Sequence, residues 1–157
     1  MNFIGAVGRT RHLQNAWRPG LQALRAQDRP HVVPEHPRNL QGSVDVDSSL
    51  RRLQPNANRW DFAIGYRHAN RQKDFIYWVE IHTAADKEVK VVLRKLDWLR
   101  KWLESDGNLL DQFDREFIWV SSGVTTFTPE SPQRKRLAQS GLQHKGGLLR
   151  ILSIRST

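Results

Sequence analysis

The 157 residues predict a mixed α/β fold of α+β type in one domain: a helix, a three-strand antiparallel meander, a crossover helix and further strands. Three observations carry that expectation. WDFAIGY (60–66) and FIYWVEIH (75–82) alternate their side chains with a period of two, and only a short polar loop separates them. KEVKVVLRKLDWLRKWLES (87–105) repeats apolar residues at helical spacing. Hydrophobic residues at 38% and six tryptophans suit a packed core rather than a disordered chain.

Taken from the N-terminus, RTRHLQNAWRPGLQALRAQ (9–27) spaces Leu13, Trp17, Leu21 and Leu24 as one apolar stripe, which predicts either a helix kinked at Pro19-Gly20 or a short turn feeding a second helix that starts at Pro19. RPHVVPEHPRNLQ (29–41), with three prolines, reads as extended or looped. GSVDVDSSL (42–50) reads as a short strand with an acidic side, although Asp45 and Asp47 also suit a cap or turn before Ser48-Ser49. In WDFAIGY, Trp60, Phe62, Ile64 and Tyr66 share one face. Asp61 shares the other with Ala63 and Gly65, small residues that leave room beside a carboxylate.

RHANRQK (67–73) forms the hairpin tip and gathers Arg67, His68, Arg71 and Lys73. In the strand that follows, Ile76, Trp78, Glu80 and His82 share a face. The helix after it buries Val89, Val92, Leu93, Leu96, Leu99 and Leu103, with Trp98 and Trp102 widening the stripe, and stops at Ser105-Asp106-Gly107. REFIWVSSG (115–123) is a further strand. Ser131-Pro132 opens a basic helix that ends near Gly141, and LLRILSI (148–154) is a last extended segment.

The formal net charge is +9, and residues 131–157 hold six cations and no acid. Such a surface favours a polyanionic partner, most simply nucleic acid, and equally describes a solubilising surface. The absence of cysteine excludes disulfides, a thiolate zinc site and a cysteine nucleophile. At the N-terminus only Phe3 to Val7 is apolar, too short for a signal core or a membrane span, so a cytoplasmic protein without a membrane partner is expected. A Walker loop, an HExxH helix and a nucleophile elbow are all missing from the sequence.

Glu80 and His82 end an otherwise apolar strand, and a buried charge requires compensation. Paired strands lie about 4.8 Å apart, so Asp61 and Glu80 can converge. A divalent oxygen-seeking ion, Mg²⁺ or Mn²⁺, would relieve both their burial and their repulsion. A structural ion pair or hydrogen-bonded pair accounts for Glu80 and His82 equally well.

The element order and the spacing of these acids resemble the PD-(D/E)xK, or restriction endonuclease-like, nuclease superfamily, across roughly residues 9–125. Asp61 in WDFAIGY matches the family's strand aspartate, and Glu80 in WVEIHTA its first motif acid. GSVDVDSSL, RWDFAIGY and WVEIHTA together are also similar to a group of bacterial proteins. The resemblance implies a metal-dependent hydrolase of DNA or RNA, with Asp61 and Glu80 holding the metal.

His82 stands where the family has lysine, and an imidazole is a poorer fixed cation although it can act as a base or proton shuttle. Lys87, or else Lys90, at the start of the next helix is positioned to return the missing cation. The resemblance therefore assigns Asp61, Glu80, His82 and Lys87 to catalysis. Arg67, Arg71, Lys73, Lys90, Arg134, Lys135 and Arg136 are the candidates for nucleic-acid contacts. A homodimer would suit two-strand cleavage. The alternative reading is a non-catalytic module that keeps the fold and binds nucleic acid or protein.

Overall fold

A computed structural model of the protein describes residues 1–128 and 130–156. The chain begins with a short helix, Phe3–Arg9 (α1), whose cap is the Asn2 side chain accepting the Gly5 N–H at 2.8 Å. The helix expected over residues 9–27 is absent. Residues 10–28 instead run through successive turns, with Gly20 at φ +54°. Arg18 and Ser43 exchange backbone hydrogen bonds of 2.9 Å in both directions, which ties this segment to the sheet and diverts its backbone from a helix. Leu13 and Leu24 are nevertheless buried. Their spacing records two separate turns pressed onto the sheet, not one helical stripe.

Val32–Pro34 (β1) precedes Leu40–Asp45 (β2). The acidic strand expected over 42–50 stops at Asp45, whose carboxylate accepts the Ser48 N–H at 2.9 Å and caps the helix Val46–Leu50 (α2). Phe62–Tyr66 (β3) and Phe75–His82 (β4) follow, then the long helix Asp86–Leu103 (α3) and Asp114–Ser121 (β5). Pro132–Gln139 (α4), capped by Ser131, leads to Leu142–His144 (β6) and Leu149–Ile151 (β7).

Among the described residues the architecture is mixed α/β, with four α-helices and a five-stranded sheet ordered β2-β3-β4-β5-β6. β2, β3 and β4 form the expected antiparallel meander. α3 then crosses over so that β5 lies parallel to β4, and β6 parallel to β5. β1 and β7 make a separate parallel pair.

Both faces of the sheet are covered. On one face Ala63, Ile76, Trp78, Phe117 and Trp119 pack with residues of α1 and α3 such as Phe3, Val92 and Leu99. On the other, Ile64, Tyr77, Val79 and Ile118 pack with Leu24, Val32 and Ile151. β4 is therefore apolar on both sides until its end. The room expected beside Gly65 is occupied: a Cβ there would lie 2.5 Å from the Phe3 ring. Among the described residues no helix is long and apolar enough to cross a membrane.

Candidate functional site

The β3–β4 register pairs Phe62 with Val79, so the next position outward opposes Asp61 to Glu80. Both side chains fall on the α3 face of the sheet. Each braces the other's strand: the Asp61 N–H donates to Glu80 Oε1 at 3.1 Å, and the Ile81 N–H donates to Asp61 Oδ2 at 3.0 Å. From behind, the Val46 N–H at the start of α2 donates to the Asp61 carbonyl at 2.9 Å. The two acids are thus fixed by backbone on three elements.

A third charged group completes the cluster. Lys95 reaches down from α3 and donates from Nζ to Glu80 Oε2 at 2.6 Å. Glu80 is wholly buried, and Asp61 nearly so. Burial pushes Glu80 well above the ordinary glutamate range, Asp61's charge pushes it further, and Lys95 only partly offsets them. Burial likewise raises Asp61, against Lys95 and the Ile81 N–H. For Lys95, burial acts downward, but the Glu80 and Asp61 charges outweigh it and the net shift is upward.

His82 lies beside this cluster. Its Nδ1 is 3.9 Å from Glu80 Oε2, and its Nε2 is 2.9 Å from Glu88 Oε2 on the first turns of α3. A carboxylate accepts and does not donate, so the contact with Glu88 calls for a proton on Nε2, and Nδ1 faces Glu80. Glu88 and Lys95 are seven residues apart and share one helix face.

The structure brings Asp61, Glu80 and His82 together and places the other expected residues apart from them or at their margin. Lys87 and Lys90 are exposed on the outer side of α3, and the cation at the carboxylates is Lys95. A signal for it was present: Lys95 stands three residues after Val92 and four before Leu99, both wholly buried, so it occupies the inward stripe. Asp45 is occupied as a helix cap, and Asp47 pairs with Arg51 and Arg59 at 2.9 Å.

Arg67, Arg71 and Lys73 lie at the far end of the hairpin, about 17 Å away by the rise of five strand residues. Arg67 there pairs with Asp74 at 2.6 Å, and clefts of about 410 and 720 Å³ surround this tip rather than the carboxylates. The hairpin cations therefore do not border the acids. Arg134, Lys135 and Arg136 do lie on the acidic side: α4 is fastened to the start of α3 by the Ser131 hydroxyl donating to Asp86 at 3.2 Å, and the three cations are exposed.

Among the described residues no three His, Cys, Asp or Glu side chains come close enough to hold a metal ion between them. The donor chemistry on offer is two carboxylates, with Asp61 Oδ1 receiving no hydrogen bond from the described residues. That set fits Mg²⁺ or Mn²⁺, which commonly keep one or two carboxylates and fill their other positions with water and substrate phosphate. Compared with known protein families, curated proteins and solved structures, the chain matches none.

Proposed function

We propose that the protein is a divalent-metal-dependent phosphodiester hydrolase of DNA or RNA with a restriction endonuclease-like core. The observation that carries this reading is the 2.6 Å contact between Lys95 Nζ and Glu80 Oε2, on the face where Asp61 opposes Glu80. An aspartate, a glutamate and a lysine meet at one strand end, with the lysine delivered by the helix rather than the strand. Asp61 and Glu80 would hold Mg²⁺ or Mn²⁺, which when bound acidifies water and offsets phosphate charge. Lys95 supplies the fixed cation that His82 lacks. It orients the attacking water and faces the charge that builds on the phosphate. His82, held by Glu88 in the tautomer with a free Nδ1, accepts that water's proton.

The complete burial of Glu80 favours a second reading, in which Lys95 alone neutralises the acids and the cluster is structural within a nucleic-acid-binding or protein-binding module. Incubating the protein with labelled single-stranded and duplex DNA and RNA, plus Mg²⁺ or Mn²⁺, separates the two. Cleavage that disappears in Glu80→Gln and Lys95→Met supports the hydrolase. Cleavage that persists in both belongs to a contaminant or another site, and binding without cleavage selects the second reading.

A further inference from the structure

We propose that Arg134 and His144, gathered around Phe127, form a subsite for a phosphate of the same nucleic-acid strand, next to the one engaged at Asp61 and Glu80. The inference rests on the nucleic-acid reading above and names the surface that grips the strand beside the carboxylates. Register places it. Glu80 pairs with Trp119 on β5, and Trp119 with His144 on β6, so the three side chains form one row across the α3 face. His144 is two strand spacings, roughly 10 Å, from Glu80 on the same face of the sheet.

The row ends in a built cluster rather than in loose surface cations. The His144 ring meets Trp119 and Phe127 edge-on, with centroids 5.5 and 5.0 Å away, and Trp119 meets Phe127 at 5.4 Å. The Arg134 guanidinium lies over the Phe127 ring at 5.4 Å. Ser121, buried at the end of β5, holds His144 Nε2 at 2.7 Å and contacts the Thr125 hydroxyl at 3.0 Å. In the tautomer whose Nε2 accepts from the Ser121 hydroxyl, the ring carries its N–H at Nδ1, which bonds to none of the described residues.

A guanidinium and a directed imidazole N–H are complementary to a phosphodiester oxygen pair. Of the acids around this cluster, Asp86 is taken up by the Thr128 N–H and the Ser131 hydroxyl. Burial, and to a lesser degree the Arg134 charge, hold His144 below the ordinary histidine range. Exposed Lys135 borders Arg134 in a shallow groove that also holds Glu130, and it extends the positive surface outward.

The test measures binding and cleavage separately. Fluorescent single-stranded and duplex oligonucleotides are titrated with wild type, Arg134→Gln and His144→Gln in EDTA at several salt concentrations. Cleavage is then followed with Mn²⁺. Each substitution is expected to weaken binding several-fold, with Arg134→Gln reducing the salt slope by about 0.7 to 0.9. In cleavage the loss falls on KM rather than kcat.

Binding losses in a wild type that never cleaves would leave the subsite standing and remove the nuclease reading. A wild type that cleaves with KM unchanged in both variants would do the reverse. Absence of any nucleic-acid binding by wild type overturns the subsite. So does a His144→Gln protein that melts earlier yet binds as wild type, since Ser121 and His144 would then only latch β5 to β6. Arg134 is exposed, so its variant keeps the test valid even if His144→Gln fails to fold.

Discussion

Asp74 and Glu80 bracket the same strand, and both carboxylates are inaccessible, yet their surroundings differ in kind. Asp74 has one donor for each oxygen: the Phe3 N–H at 2.8 Å on Oδ2 and the Arg67 guanidinium at 2.6 Å on Oδ1. Glu80 also has two donors, but it shares its volume with Asp61, and the single lysine serves both. One acid is an anchor that joins α1 to the hairpin. The other sits in a cluster carrying excess negative charge. Burial alone therefore marks neither as functional, whereas crowding of like charges, which a cation would relieve, distinguishes the second.

The largest expected separation between the two acids is in activity. Glu80→Gln is expected to lower the cleavage rate by on the order of 10²- to 10⁴-fold, whereas Asp74→Asn keeps the rate per folded molecule. Equal losses in single-turnover assays would erase the distinction. Metal should sharpen it next. If the acids hold the metal as proposed, Mn²⁺ a hundredfold above its Kd is expected to add about 2.7 kcal/mol to wild type, read as a rise in Tm. Asp74→Asn should retain that gain, and Asp61→Asn and Glu80→Gln should lose it.

Stability without metal is expected to separate Asp74 from the cluster, represented by Asp61, in the opposite order. Asp74→Ala strands two donors and costs about 2 kcal/mol in urea unfolding, whereas Asp61→Asn relieves repulsion and changes stability by less than about 1 kcal/mol.

The smallest effect is in pH. Because the folded value of Glu80 is raised, its contribution to stability is complete below the ordinary glutamate range and is lost as pH rises through the folded value. Wild type measured against Glu80→Gln by thermal melting should therefore lose ground from acid toward neutral pH. A difference that grows in that direction would show Lys95 outweighing burial and Asp61 together.

Strand alternation made Asp61 and Glu80 legible in the sequence, because register follows from a period of two once the hairpin is recognised. The crossover helix and the strand after it were legible as well, the helix from its apolar residues at helical spacing. Lys95 was not, since its role depends on how α3 docks on the sheet, although its place on the inward stripe hinted at it. The N-terminal segment misled because Leu13, Trp17, Leu21 and Leu24 satisfy a helical spacing while the Arg18–Ser43 exchange and Gly20 dictate turns. The hairpin cations were legible as a group, and the register sets them at the closed end of the hairpin, the end opposite Asp61 and Glu80.

Phe3 seated over Gly65 carries a practical consequence. Its ring plugs a hole in the sheet on the face that carries the carboxylates, while its own N–H holds Asp74. Trimming the first nine residues would uncork that hole and strip Asp74 of a donor at once. Affinity handles for all the assays above are therefore best attached after residue 157, leaving the stopper in its seat.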